Sequence, residues 1–188
     1  MTTPLNIVGL CGSLRTASIN RAVLKLAGAV MPSGMTLDVA EIRDVPFFDG
    51  DVLAQGFPAT VTALRERIGK ADGVVIATPE YNFSIPGVLK NTLDWLSRGD
   101  NQAFAFKPVA VLSASPGPLG GARVQYDLRR VMLFMNGQVL AKPEVFIGGA
   151  SGKFSLEGEC TDATTRQFVS DQMAAFARWI AAVKRMNG

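Results

Sequence analysis

The chain has 188 residues, a formal net charge of +3, 48% apolar and 19% charged residues, and no histidine. That length suits one domain with a core of its own, while the missing histidine excludes any Ser-His-Asp or Cys-His machine, and two cysteines do not close a structural zinc site, so no metal is expected. No apolar run is long enough to span a membrane, Pro4, Asn6 and Arg15 break any signal-peptide pattern, and the scattered basic excess forms no nucleic-acid-binding block, so the expectation is a cytoplasmic protein with no nucleic acid or membrane partner.

Asn6–Cys11 is a short apolar run ended by Gly12-Ser13, the pattern of a buried strand. Asn20–Met31 carries Val23, Leu24, Ala27 and Val30 at helical spacing and stops at Pro32-Ser33-Gly34. Thr36–Ile42 alternates Leu37, Val39 and Ile42 with polar neighbours and predicts a second strand, followed by a loop over Asp44–Phe57. Pro58–Ala71 is a helix with Val61, Leu64 and Ile68 on one face. Gly73–Ala77 is uniformly apolar, as a strand covered on both faces demands. Pro86–Trp95 is a helix opened by proline, and its Leu89, Leu93 and Trp95 point to more than one side, which suggests a self-association face. Val109–Ala114 is strand four, and Ala122–Met135 a helix with Val124, Leu128, Val131 and Met135 inward. Gln138–Ile147 supplies strand five, broken near Pro143, then a glycine-rich loop over Gly148–Glu159. Thr161–Lys184 is a long last helix with Phe168, Ala175, Phe176, Trp179 and Val183 in phase.

Strands alternating with helices predict an α/β fold, a single domain over residues 1–188 with a doubly wound five-stranded parallel sheet and helices on both faces. Ligands then bind beyond the carboxyl ends of the strands, where the strand order reverses. The loops after strands one, three and four are therefore the informative ones. The first, Gly12–Asn20, opens a helix with Ser13, Ser18, Asn20 and Arg15, a set suited to a phosphate; it is equally an ordinary helix start with Ser18 as cap and Arg15 solvated. The second, Pro79–Gly87, brings Tyr81, Asn82 and Ser84 to a place where a flat heteroaromatic ring could lie; it is equally a turn held by Pro79 and Pro86. The third, Ser113–Arg123, is rich in glycine, which lets a ligand approach the backbone or simply serves the φ angles of the loop.

Together these strings resemble the NAD(P)H-dependent FMN reductases of flavodoxin-like fold, a family that includes quinone, chromate and azo-dye reductases. The carrying residues are Gly12-Ser13-Leu14-Arg15 with Ser18 and Asn20; Pro79-Glu80-Tyr81-Asn82-Phe83-Ser84-Ile85-Pro86-Gly87 leading into Leu89-Lys90-Asn91 and Leu93-Asp94-Trp95; and Gly117, Gly120-Gly121 and Arg123. The resemblance implies an FMN-dependent oxidoreductase passing electrons from NADPH or NADH to a small acceptor such as a quinone, free flavin, azo compound or chromate. It implies that Ser13, Arg15, Ser18 and Asn20 hold the FMN phosphate. Pro79, Glu80, Tyr81, Asn82 and Ser84 would then follow the ring and ribityl chain, with Ser115 and the backbone from Gly117 on the other side. No side chain is expected to act as catalytic acid or base, because the flavin N5 carries the hydride. The resemblance also implies a homodimer or homotetramer. Alternatives are a flavodoxin-like electron carrier or a redox-sensing flavoprotein without its own NAD(P)H turnover. A 2′-phosphate pocket for NADPH would need basic side chains, for which Arg123 and Lys107 are the candidates, and Cys11 reads as a packing residue at a strand end.

Overall fold

Apolar runs of six or seven residues at positions 5–11, 73–78 and 108–114 make the three central strands of one parallel sheet in the computed structural model, which describes residues 4–187. The strands are β1 (Leu5–Cys11), β2 (Met35–Ala40), β3 (Gly73–Thr78) and β4 (Pro108–Ala114), and β3 and β4 are buried along their whole length. The fifth strand is in two pieces, β5 (Gln138–Val139) against Pro108–Val109 and β6 (Val145–Ile147) against Leu112–Ala114. Pro143 falls in the gap, as expected of a residue that cannot donate to a ladder. The strand order β2-β1-β3-β4-β5 is the flavodoxin-like one, with its reversal between β1 and β3.

Helices cover both faces. On one side α1 (Ile19–Ala29) and α6 (Ala163–Asn187) bury Val23, Leu24, Ala27, Val169, Met173 and Phe176. Opposite them, α3 (Ala59–Lys70), α4 (Gly87–Leu96) and α5 (Ala122–Phe134) bury Leu64, Ile68, Leu89, Leu93, Leu128 and Met132. A short α2 (Gly50–Ala54) forms inside the predicted 44–57 loop because Asp49 caps it, accepting from the Asp51 N–H at 2.8 Å. In α6 the inward register is Val169, Met173, Phe176, Ile180 and Val183; Phe168, predicted to face inward, is one residue out of that phase and 56% exposed. The predicted glycine-rich loop after β6 contains a 3-10 turn at Ala150–Gly152 and an antiparallel contact between Phe154 and Cys160.

This layout sends the turns after β1, β3 and β4 to one edge of the sheet, on both sides of the reversal. Gly12 is required there: an added Cβ would lie 2.2 Å from the Thr78 Oγ1, so only a bare backbone lets the two turns approach. No helix of the described residues is long and apolar enough to cross a membrane.

Candidate functional site

The β1–α1 turn begins with Gly12, whose N–H extends the ladder to the Ala77 carbonyl at 2.9 Å. Ser13 is buried and its Oγ accepts from the Arg15 N–H at 3.4 Å. Ser18 caps α1 by accepting from the Arg21 N–H at 3.4 Å, leaving the other first-turn N–H groups pointed out of the helix with the positive end of its dipole. Arg15 stands exposed at the start of this turn, and among the described residues no carboxylate pairs with its guanidinium. Cys11, just below, is buried, and burial pushes its thiol up, against the opposing backbone bond from Ser13, so it stays protonated and packs.

Asn20 does not open onto this turn. Only 3% exposed, it donates through Nδ2 to the Ala114 carbonyl and accepts through Oδ1 from the Ala114 N–H, both at 3.0 Å. Its amide acts like one more strand residue against the end of β4, and it ties the first turn of α1 to the third loop. The structure thus places Asn20, predicted at a phosphate, as a splice between α1 and the loop after β4, with one N–H and the oxygen of its buried amide spent there.

The loop after β3 folds into a tight hairpin. Tyr81 and Ser84 exchange backbone hydrogen bonds at 3.1 and 2.9 Å, while Asn82 and Phe83 between them both adopt positive φ, 49° and 67°. Asparagine tolerates that region; phenylalanine does not readily, and Phe83 is held there under the Arg123 guanidinium, 3.7 Å from the ring centroid. Arg123 is in turn fixed by Glu80, whose carboxylate accepts from Arg123 Nε at 2.6 Å and from the backbone N–H groups of Arg123 and Val124 at 3.1 and 3.2 Å. Gly121, the N-cap of α5, has no side chain to cap with, so Glu80 supplies the cap from the neighbouring loop. Pro79 is half-buried, its carbonyl accepting from Thr78 Oγ1 at 2.9 Å, and the Ser84 hydroxyl donates to Asp127 at 2.6 Å.

In the loop after β4, Ser115 is half-buried and pairs its N–H with the Ile147 carbonyl at 3.1 Å, while its Oγ donates to the exposed Gly117 carbonyl at 3.3 Å. Gly120, at φ 60°, brings its α-carbon against the β6 exit, where an added Cβ would fall 2.7 Å from the Gly148 nitrogen.

The turns after β1 and β3 border an open cleft of about 420 Å³ lined by Gly12–Arg15, Tyr81 and Pro86–Val88. Of the predicted residues, Ser13, Arg15 and Tyr81 line it; Ser18 and Arg15 also line a second cleft of about 420 Å³ between α1 and residues 151–158. Asn82 is exposed at the hairpin tip. Two other readings are corrected. Arg123 is bound to Glu80, and Lys107 sits before β4 at the far edge of the sheet, donating to the Gly69 and Ala71 carbonyls at 3.0 and 2.6 Å; neither is free for a 2′-phosphate. The apolar side chains Leu89, Leu93 and Trp95 of α4 are all buried within the chain, and the exposed apolar face lies instead on α5, at Tyr126, Leu133 and Phe134.

The sequence reading also passed over two pairs. Asn91 and Trp95, one turn apart on α4, staple the loop after β2: Asn91 Nδ2 and Trp95 Nε1 both donate to the Pro46 carbonyl at 2.8 Å, and Asn91 Oδ1 accepts from the Phe48 N–H at 2.7 Å. Polar atoms on the inward side of a helix were the available signal. Arg43 reaches across to donate to the Leu14 carbonyl at 2.5 Å, a contact with no local signature.

The donor set fits a phosphorylated planar ring: an unpaired guanidinium and open helix N–H groups at one end, and a rigid aromatic hairpin at the other. Comparison with known proteins gives the same direction. Residues 5–152 match the family model described as NADPH-dependent FMN reductase. The chain is 42% identical over 188 residues to an NAD(P)H-dependent FMN reductase of Pseudomonas aeruginosa, covering 100% of both chains. It is 44% identical over 187 residues to a quinone reductase of Escherichia coli, covering 98% of this chain and 100% of that one. Among solved structures, the flavoenzyme NAD(P)H:(acceptor) oxidoreductase FerB from Paracoccus denitrificans aligns with a TM-score of 0.86 at 32% identity, over 95% of this chain and 98% of that one.

Proposed function

We propose that this chain, which belongs to the NADPH-dependent FMN reductase family, holds FMN with its phosphate on the β1–α1 turn and its ring beside the Tyr81–Ser84 hairpin. The chain is an FMN-dependent oxidoreductase that takes electrons from NAD(P)H and passes them to a small acceptor. When bound, FMN supplies the ring that takes a hydride from the nicotinamide and releases two electrons to the acceptor. The protein's own work is placement. Arg15, with Ser13 and Ser18 shaping the turn, meets the phosphate charge. Pro79, Glu80 and Ser84 present backbone groups, and Tyr81 and Asn82 backbone and side chains, to the ring and ribityl edge. Ser115 and the Gly117 backbone border the far side. All of this sits in one domain, which we place in the cytoplasm. Quinones, which the Escherichia coli relative is named for, are the first acceptors to try. Free flavin, azo compounds and chromate are further acceptors for an open cleft.

The observation that carries this reading is the exposed, unpaired Arg15 at a helix start on the rim of the 420 Å³ cleft. Purified protein is expected to be yellow, to rebind FMN tightly after stripping, and to bleach in an anaerobic titration with NADPH or NADH. If the reconstituted protein neither binds FMN tightly nor oxidises NAD(P)H, the reading is overturned. A carrier without turnover of its own would bind FMN yet fail to react directly with either nicotinamide.

We further propose a homodimer through α5. Leu133 and Phe134 are 81% and 72% exposed beside a groove of about 430 Å³ between α4 and α5. That groove carries Lys90 paired with Asp94 and Arg130 paired with Asp127, both signs of charge on one face, as a self-complementary interface needs. Leu133→Asp is expected to convert the dimer to a monomer by light scattering without changing the thermal transition of the isolated fold; a parent protein that is already monomeric would refute the interface.

A further inference from the structure

The loop after β2, from Arg43 to Phe48, has no part in the site described so far, yet three contacts bring it to the outer wall of the ring cleft. Arg43 Nη2 donates to the carbonyl of Leu14, and Leu14 lines the cleft. Val45 packs on the same apolar cluster as Leu14, Ile85 and Val88. Asn91, one helical turn beyond the cleft residue Val88, holds the loop at Pro46 and Phe48, and Trp95 adds a second donor to Pro46. Phe48 is packed edge-on against Trp95 at 4.9 Å between centroids. Between these fixed neighbours Phe47 projects outward, 89% exposed.

Scattered exposed aromatics are ordinary on protein surfaces, and floppy ones hold nothing. Phe47 differs in that the residues on either side of it are pinned by three hydrogen bonds, so its backbone is ordered before any ligand arrives. Stacking on it therefore costs little further entropy. Arg43 is equally pre-set: one N–H of its fork is spent on Leu14, no carboxylate among the described residues neutralises it, and its other donors remain for an anion. A cation bonded to the cleft residue Leu14 and an exposed aromatic ring carried on an ordered backbone four residues away are groups that recognise a nucleotide.

We propose that Arg43 and Phe47 form the platform for the adenosine-phosphate half of the nicotinamide dinucleotide, Phe47 stacking on the adenine and Arg43 bonding the phosphates. This rests on the proposed reductase reading, and supplies the cationic contact that Arg123 and Lys107 do not.

The test uses the FMN-loaded enzyme with two donors, NADPH and reduced nicotinamide mononucleotide, which lacks the adenosine. Phe47→Ala is expected to raise KM for NADPH roughly tenfold, as the loss of one base-stacking contact does. Arg43→Gln, which keeps a donor for Leu14 but removes the charge, is expected to raise it about fivefold and to flatten its dependence on salt. The truncated donor's KM should move less than twofold in Phe47→Ala. As a binding readout independent of turnover, the Kd of NADP+ for the oxidised holoenzyme, by calorimetry, should rise in step, while the FMN Kd, by fluorescence, stays within twofold. An equal rise for both donors, or an unchanged NADP+ Kd in both variants, overturns the platform. Since the parent enzyme is measured alongside, failure of the reductase reading itself would show as a parent that oxidises neither donor.

Discussion

Asn20→Ala is expected to destabilise the FMN-free protein by about 2–4 kcal/mol, because it strands both the N–H and the carbonyl of Ala114 in a dry place, each orphan costing roughly 1–3 kcal/mol. The better helix propensity of alanine returns only about 0.5 kcal/mol. For a chain of this size the loss corresponds to a fall of roughly 5–15 °C in Tm by calorimetry. FMN affinity should fall as well, since the amide is what ties the first turn of α1 to the loop after β4, at two bonds of 3.0 Å. Asn20→Asp separates the donor from the acceptor. At neutral pH its carboxylate would still accept from the Ala114 N–H but would face the Ala114 carbonyl with a buried charge. Burial raises the folded-state pKa of such a group, so the folded protein binds more protons than the unfolded one. Its stability should then fall as pH rises from the ordinary carboxylate range near 4 up to the raised folded-state value, and recover on acidification, where a neutral carboxyl can donate to the carbonyl. A variant as stable as the parent at neutral pH would show that the splice carries no weight.

Arg15→Ala separates the other way. Its guanidinium is exposed and unpaired with any carboxylate of the described residues, so its removal should shift the Tm of the flavin-free protein by no more than about 1 °C, the scale of a surface change. FMN binding should weaken roughly 10–100-fold, the equivalent of one charge-assisted hydrogen bond to a dianion at about 1.5–3 kcal/mol. The stabilisation that FMN confers on the parent in a thermal scan should shrink by the same amount, because a ligand that binds only the folded state stabilises in proportion to the logarithm of its affinity. Flavin fluorescence titration measures the first quantity and differential scanning the second. An FMN Kd within twofold of the parent would remove Arg15 from the phosphate site. The two variants thus bracket one turn: the first tests a side chain that builds it, the second a side chain proposed to meet the ligand.

The contrast between them also marks the limit of sequence reasoning. The alternation of apolar strands with amphipathic helices determined the doubly wound sheet, the buried central strands and the edge at which the three loops meet, since burial periodicity is a local property of the chain. The loop strings determined the family. What they could not separate was which polar side chains are free. Ser13, Arg15 and Asn20 look alike as donors within a few residues of one another, yet Asn20 is engaged by a backbone 94 residues away and Arg15 by no carboxylate of the described residues. Glu80, expected only to follow the ring and ribityl chain, spends its carboxylate capping α5, because Gly121 brings no side chain to that helix start. The loop that carries Arg43 and Phe47, in a stretch with no motif, lies against α4 because Asn91 and Trp95 hold it there, and Arg43 then meets the cleft residue Leu14. A hydrogen-bonding group has a fixed small number of partners, and whether they are spent is decided by residues far off in sequence; that accounting closes only once the chain is folded.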